Sequence, residues 1–116
     1  MSESAAPLKL LLLEDSRFDA ELLAEKLRGD YPDHSLQVVR DEAGFAAALA
    51  GGAFDVILSD YEIPGYGGAQ ALRHAIAVAP QTPFIFVSGV IGEDNAVEML
   101  KQGATAMACR SACAPP

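Results

Sequence analysis

At 116 residues, with 51% hydrophobic and 21% charged side chains, the chain fits a single globular domain with a real core. Its net charge of −8 repels nucleic acid and anionic lipid, both of which are bound through clustered Lys and Arg, so we expect neither as a partner. No apolar run approaches the ~20 residues that span a bilayer, and no signal-peptide pattern opens the chain, so a cytoplasmic protein is expected. Cys109 and Cys113 are too few for a disulfide framework and are predicted to be reduced thiols.

The chain opens with a predicted disordered leader over 1–7, and an apolar strand follows over 8–13. Two acidic residues, Glu14 and Asp15, stand where this strand ends. Ser16 then offers an N-cap to a helix that a glycine ends. Its apolar stripe, which we expect to face the sheet, consists of Phe18, Leu22, Leu23 and Leu27.

A second strand over 36–39 leads to Asp41, which caps an alanine-rich helix. The most informative stretch comes next, because the apolar run from Phe54 to Leu58 stops near Asp60 and gives way to a loop rich in glycine. Apolar runs of this kind are typical of strands buried on both faces of a parallel sheet. Asp60 is therefore predicted to lie at the carboxyl end of a rigid, buried strand.

The remaining elements continue the same alternation. The sequence predicts a helix over 69–79, a strand over 84–87, a fourth helix over 93–102, a last strand over 104–110 and a short irregular tail over 111–116.

Strands that alternate with helices predict a doubly wound α/β fold, in which a five-stranded parallel sheet carries helices on both faces. In the flavodoxin-like strand order 2-1-3-4-5, the order reverses between strands 1 and 3, and a ligand crevice opens at their carboxyl ends. That geometry places Glu14, Asp15 and Asp60 side by side.

Three carboxylates in one partly buried crevice repel one another unless a cation offsets their charge. Oxygen ligands and an open site favour Mg²⁺, which commonly bridges carboxylates to a phosphoryl group. A carboxylate beside that ion is a competent nucleophile for phosphoryl transfer. At the ends of neighbouring strands, Ser88 is predicted to donate a hydrogen bond to one phosphoryl oxygen and Arg110 to neutralise another.

Four sequence motifs together indicate a family resemblance: LLLLED at 10–15, DVILSDYEIPGYGG at 55–68, FVSG at 86–89 and IGEDNAVEMLKQGA at 91–104. Each is modest alone. In this order and spacing, the chain resembles the receiver domain of two-component response regulators over roughly 8–110.

The resemblance implies a role for each matching residue. Asp60 would be the phospho-acceptor, Asp15 a direct ligand of Mg²⁺, and Glu14 a ligand through a metal-bound water. The backbone carbonyl of Glu62 would complete the protein ligands. Ser88 would be the switch residue, whose hydroxyl turns toward the phosphoryl group.

The chain departs from the family pattern near its end. Arg110 stands where the family has lysine, and Met107 stands where it usually has an aromatic switch residue. Because only 111–116 remain after Arg110, the fifth helix of the family is expected to be missing. We expect the face left uncovered to be closed by a homodimer or another partner, or the chain to be a truncated version of a longer one.

The leading interpretation is a stand-alone receiver that takes a phosphoryl group from a histidine kinase or phosphotransfer protein and acts on a downstream protein target by binding. Its catalysis would be limited to its own phosphorylation and to hydrolysis of its own acyl phosphate. Two alternatives stay open. One is a phosphorylation-independent interaction module, favoured by Arg110 and Met107; the other is a small phosphohydrolase with an aspartate nucleophile, loosely suggested by the spacing of Asp60 and Glu62.

Overall fold

The structure, a computed structural model, describes residues 8–30, 33–60, 65–88, 101 and 103–109. Its elements are β1 (Leu8–Leu13), α1 (Arg17–Asp30), β2 (His34–Val39), α2 (Glu42–Gly51), β3 (Val56–Ser59), α3 (Gly68–Val78), β4 (Phe84–Ser88) and β5 (Ala106–Cys109). The strands and helices predicted within the described residues are present, and their ends shift by two residues at most. Of the helix predicted over 93–102, only Lys101 is described, and it is helical.

The five strands form one parallel sheet in the order β2-β1-β3-β4-β5, which confirms the predicted doubly wound, flavodoxin-like class. β1 lies between β2 and β3. Its last residue, Leu13, is level with Val39 on one side and with Ser59 on the other. Because three strands end at the same level, the residues that follow them emerge together at one edge of the sheet.

Most of the core lies on the sheet face that α2 and α3 cover. Phe45 on α2 and Phe86 on β4 are fully buried, and the rings of Phe84 and Phe86 meet edge to face with centroids 5.0 Å apart. Burying a side chain of this size contributes roughly 2–3 kcal/mol. The cluster consists of Leu11, Leu13, Val39, Phe45, Ala48, Leu49, Ile57, Tyr66, Ala71, Leu72, Ala75, Phe84, Phe86 and Ala104.

The face covered by α1 has a smaller core, built on Leu12, Ala20, Leu58 and Val87. The apolar stripe predicted for α1 is wrong in part, because Phe18 is 69% exposed and Leu22 is 46% exposed. Ala20 is buried instead, and Leu23 packs against the cluster. The helix carries two adjacent apolar stripes, and the small Ala20 lets its own stripe approach the sheet, which turns Phe18 and Leu22 toward solvent.

Some predictions concern residues outside the described ranges. These are the leader over 1–7, the tail over 111–116 and the absence of a fifth helix, and they stay predictions. Among the helices that the structure describes, none combines the length and apolar character needed to cross a bilayer.

Candidate functional site

The carboxyl edge of the sheet brings together the acidic residues that follow β1 and β3. Leu13 and Ser59 are the last paired residues of these strands, so Glu14 and Asp60 leave the sheet side by side. The Asp60 N–H donates to the Leu13 carbonyl oxygen at 2.9 Å, which ties the start of the β3–α3 connection to β1. The predicted proximity of these acids is thereby found in the structure.

One carboxylate oxygen from each of Glu14, Asp15 and Asp60 lies within 4.8 Å of the other two. Glu14 is only 4% exposed, whereas Asp15 and Asp60 are half-buried and reachable from solvent. Two oxygens on opposite sides of one Mg²⁺ stand about 4.2 Å apart, since each Mg–O distance is about 2.1 Å. The three carboxylates therefore offer the ligand chemistry and nearly the spacing that a small, hard divalent cation takes.

The turn between β1 and α1 holds Glu14 in place. Its carboxylate accepts a hydrogen bond from the Ser16 N–H at 3.1 Å, and its own N–H donates to the Val39 carbonyl oxygen at 2.9 Å. Ser16 is the N-cap that the sequence predicts, because its hydroxyl accepts from the Asp19 N–H at 3.2 Å. A buried acid fixed on both sides in this way keeps its orientation toward Asp15.

Two arginines that were not predicted from the sequence lie next to residues of the acidic cluster. Arg40, which follows β2, brings Nη2 to 3.5 Å from the Asp15 carbonyl oxygen. Arg17, on the first turn of α1, lines the same groove together with Glu14 and Val38. No sequence motif signals either position. The pairing of β2 with β1 brings Arg40 there, and the short turn between β1 and α1 brings Arg17 there.

Tyr66, in the described part of the connection between β3 and α3, is 5% exposed. Its hydroxyl lies 3.3 Å from His74 Nδ1 on α3, and its ring lies 6.2 Å from that of Phe45. Burial first, and the negative charge of Glu42 second, raise the pKa of Tyr66 above its ordinary value. Gly65, with φ of 78°, supplies the left-handed turn that brings Tyr66 inward.

The remaining predicted site residues are only partly described. Ser88 ends β4, two residues beyond the level of Ser59, and Met107 lies in β5. Their backbones therefore lie in the two strands beyond β3, while their side chains are outside what the structure describes. Glu62 and Arg110 also fall outside the described ranges.

Comparison with known proteins agrees with this geometry. The family model of the response regulator receiver domain matches residues 10–108. A protein-glutamate methylesterase/protein-glutamine glutaminase of Azospirillum brasilense is 32% identical over 100 residues, which are 84% of this chain and 25% of that protein. Response regulator protein FleR of Pseudomonas aeruginosa is 32% identical over 96 residues, which are 83% of this chain and 20% of FleR.

The sheet and its helices also resemble solved structures. The phosphorylated cyanobacterial phytochrome response regulator RcpA superimposes with a TM-score of 0.81 at 26% identity, and the match covers 93% of this chain and 84% of that one. The curated relatives are much longer, since this chain spans a quarter of one and a fifth of the other.

Proposed function

Because this chain belongs to the response regulator receiver domain family, we propose that it accepts a phosphoryl group on Asp60 from a histidine kinase or a phosphotransfer protein. The observation that carries the proposal is the convergence of Glu14, Asp15 and Asp60 within 4.8 Å at one edge of the sheet. Like-charged groups are costly to hold together, so their convergence supports a bound cation, and a cation beside Asp60 would offset the charge of an incoming phosphoryl group.

The proposed step is a transfer from nitrogen to oxygen. A carboxylate oxygen of Asp60 attacks the phosphorus of a phosphohistidine, the new P–O bond forms, and the P–N bond breaks. The electron pair of that bond returns to the imidazole nitrogen of the donor, which takes up a proton from water. Asp60 then carries an acyl phosphate, and hydrolysis by water returns the carboxylate and inorganic phosphate.

The residues around Asp60 have distinct proposed roles. Asp15 would bind Mg²⁺ directly, Glu14 would act through a metal-bound water, and the Glu62 backbone carbonyl would complete the set. When bound, Mg²⁺ offsets the negative charge that gathers on the transferring group.

Two further residues are proposed to contact the phosphoryl group. The Ser88 hydroxyl would donate to one of its oxygens, and Arg110 would neutralise another. Met107 stands at the position from which the family commonly signals the switch, so any readout at that point differs from the family's aromatic one.

Receiver domains are signalling modules that interact with histidine kinases and downstream effectors. We propose that the unit over 8–110 passes its signal by binding a protein target, and that its chemistry is confined to its own phosphorylation and dephosphorylation. The methylesterase activity named for the Azospirillum relative is not carried over, because this chain covers only a quarter of that protein.

The proposal is tested by incubating the protein with a small phosphodonor and Mg²⁺ and measuring the intact mass. We expect a gain of one phosphoryl group that resists acid and is lost in base, as an acyl phosphate should be. The gain should disappear in Asp60→Asn and when a chelator removes the metal.

The matched control is Asp55→Asn, which changes the aspartate at the other end of β3 and should leave the mass gain intact. A protein that takes up no phosphoryl group under these conditions would instead support the phosphorylation-independent interaction module. Transfer to a residue other than Asp60 would show that the acceptor is misassigned.

A further inference from the structure

Ser59 places a hydroxyl where the preceding residues of the strand are apolar. It is the last residue of β3, has no exposed surface, and is level with Leu13 on β1 and Phe86 on β4. The three residues before it are Val56, Ile57 and Leu58. A buried hydroxyl lowers stability unless it makes a hydrogen bond, so its partner indicates what it does.

That partner is the backbone of the proposed phospho-acceptor. Ser59 Oγ donates to the Asp60 carbonyl oxygen at 2.9 Å. On the other side of the residue, the Asp60 N–H donates to the Leu13 carbonyl oxygen at 2.9 Å. Since Leu13 and Ser59 are the last pair of the β1–β3 ladder, Asp60 lies one residue beyond the regular sheet, and these two bonds hold both of its peptide groups.

We infer that Ser59 is a positioning residue for Asp60, whose hydroxyl keeps the acceptor carboxylate aligned with Glu14 and Asp15. This inference rests on the proposed function and extends it to a side chain that does not contact the phosphoryl group. Without the bond, the peptide that follows Asp60 gains rotational freedom just past the end of the strand. Because the three carboxylates repel one another, that freedom lets Asp60 move away from the geometry needed for metal binding and attack.

The test compares Ser59→Ala and Ser59→Cys with a control that loses a different hydrogen bond between a side-chain hydroxyl and the backbone. Thr105 Oγ1 accepts from the Phe84 N–H at 2.9 Å at the opposite edge of the sheet, so Thr105→Val is the matched control. Three quantities are measured for each variant. They are the Mg²⁺ dissociation constant by titration calorimetry, the phosphorylation rate at saturating Mg²⁺ and phosphodonor, and the hydrogen exchange of the Asp60 amide without metal.

We expect Ser59→Ala to weaken Mg²⁺ binding and to slow phosphorylation by about three- to tenfold each, the range of one neutral hydrogen bond. Exchange of the Asp60 amide should speed up by a similar factor. Ser59→Cys nearly keeps the size of the side chain and retains a weak donor, so it should fall between the wild type and Ser59→Ala. Thr105→Val should lose stability while its metal affinity and rate stay within about twofold of the wild type.

Each result decides between positioning and a purely structural role. Lower stability in both Ser59 variants, with unchanged Mg²⁺ affinity, rate and Asp60 exchange, would overturn the inference and leave the proposed function intact. If Ser59→Ala does not fold, Ser59→Cys decides on the same three measurements. If no protein, the wild type included, takes up a phosphoryl group while Mg²⁺ affinity and exchange change as expected, the proposed function fails and the positioning of Asp60 by Ser59 stands.

Discussion

β3 has an aspartate just before its first residue and another just after its last, and the two carboxylates are used in opposite ways. At the amino end, Asp55 is exposed and its carboxylate accepts a hydrogen bond from the Lys9 N–H at 2.8 Å, while its own N–H donates to the Lys9 carbonyl oxygen at 2.7 Å. At the carboxyl end, Asp60 makes the equivalent backbone bond to Leu13, yet its carboxylate is directed toward two other acids.

The difference shows how a stabilising acid is told from a functional one. Asp55 satisfies a backbone donor of β1, so its charge strengthens the fold. Asp60 keeps its carboxylate within 4.8 Å of two other carboxylates, so we expect the same residue type to oppose the fold when no cation is bound. An arrangement that costs stability without a ligand is typical of sites that bind one.

The largest expected effect is a difference between variants at the two ends of β3 in how strongly Mg²⁺ stabilises them. A ligand that binds only the folded state at a concentration 100 times its dissociation constant stabilises that state by about 2.7 kcal/mol. We expect Mg²⁺ to raise the free energy of unfolding of the wild type and of Asp55→Ala by this amount, and to leave Asp60→Ala nearly unchanged. Urea unfolding with Mg²⁺ and with a chelator measures the difference.

Equal responses of Asp55→Ala and Asp60→Ala would contradict the assignment of the metal site to the carboxyl edge. Ca²⁺ is a useful second ion in the same experiment, because its longer ligand distances place opposite oxygens about 4.6–5.2 Å apart, and the comparison shows which of the two ions the acidic cluster prefers. Asp15→Ala should behave like Asp60→Ala, since both residues belong to the acidic cluster.

A smaller effect of opposite sign is expected when no metal is present. Asp60→Ala should raise the free energy of unfolding by about 1–2 kcal/mol, because it relieves repulsion among half-buried carboxylates. Asp55→Ala should lower it by about 1 kcal/mol, because the Lys9 N–H loses a charged acceptor. Urea unfolding in chelator, with unchanged denaturant slopes, measures both.

Salt provides the control for this pair. Screening weakens repulsion between exposed or half-buried charges, so the gain in Asp60→Ala should shrink as salt rises from about 0.05 to 0.5 M. A variant of Asp60 that loses stability to the same extent as the Asp55 variant would show that its carboxylate stabilises the metal-free fold, against the distinction drawn between the two ends.

The end of β3 at Asp60 could be predicted from sequence, whereas its surroundings could be predicted only in part. The apolar runs that end in Glu14 and Asp60, together with the alternation of helices and strands, suffice to bring these acids together through the strand order. Arg40 was not predicted as a neighbour because no motif marks it, although the predicted end of β2 and the strand order place it at the same edge as Glu14.

Side-chain direction was harder to predict than the elements themselves. Phe18 and Leu22 have the spacing of an inward stripe, yet Ala20 takes the inward position because small size matters where a helix meets a sheet. From the sequence, nothing distinguishes Ser59 except that it precedes Asp60. Its hydrogen bond to the next carbonyl is a matter of rotamer, which no periodicity reveals.

The smallest expected effect concerns Tyr66. Its side chain is buried, whereas the Asp55 side chain at the amino end of β3 is exposed. Burial chiefly, and the charge of Glu42 in addition, raise the pKa of Tyr66 above its ordinary value of 10.0. The phenol is therefore easier to ionise in the unfolded chain than in the folded one. Its contribution to stability is fully present below pH 10.0 and is lost as the pH rises from there through the raised folded pKa.

Tyr66→Phe isolates this contribution. Below pH 9 the variant should be less stable than the wild type by roughly 0.5–1 kcal/mol, because the hydrogen bond between Tyr66 and His74 is lost. Above pH 10.0 the wild type should lose stability more steeply than the variant, so the gap between them should narrow. Glu42→Gln should keep most of the steep decline, since burial is the larger cause. A gap that stays constant from pH 8 to pH 11 would mean that Tyr66 ionises equally easily in both states, and that burial does not raise the pKa of Tyr66 in the folded protein.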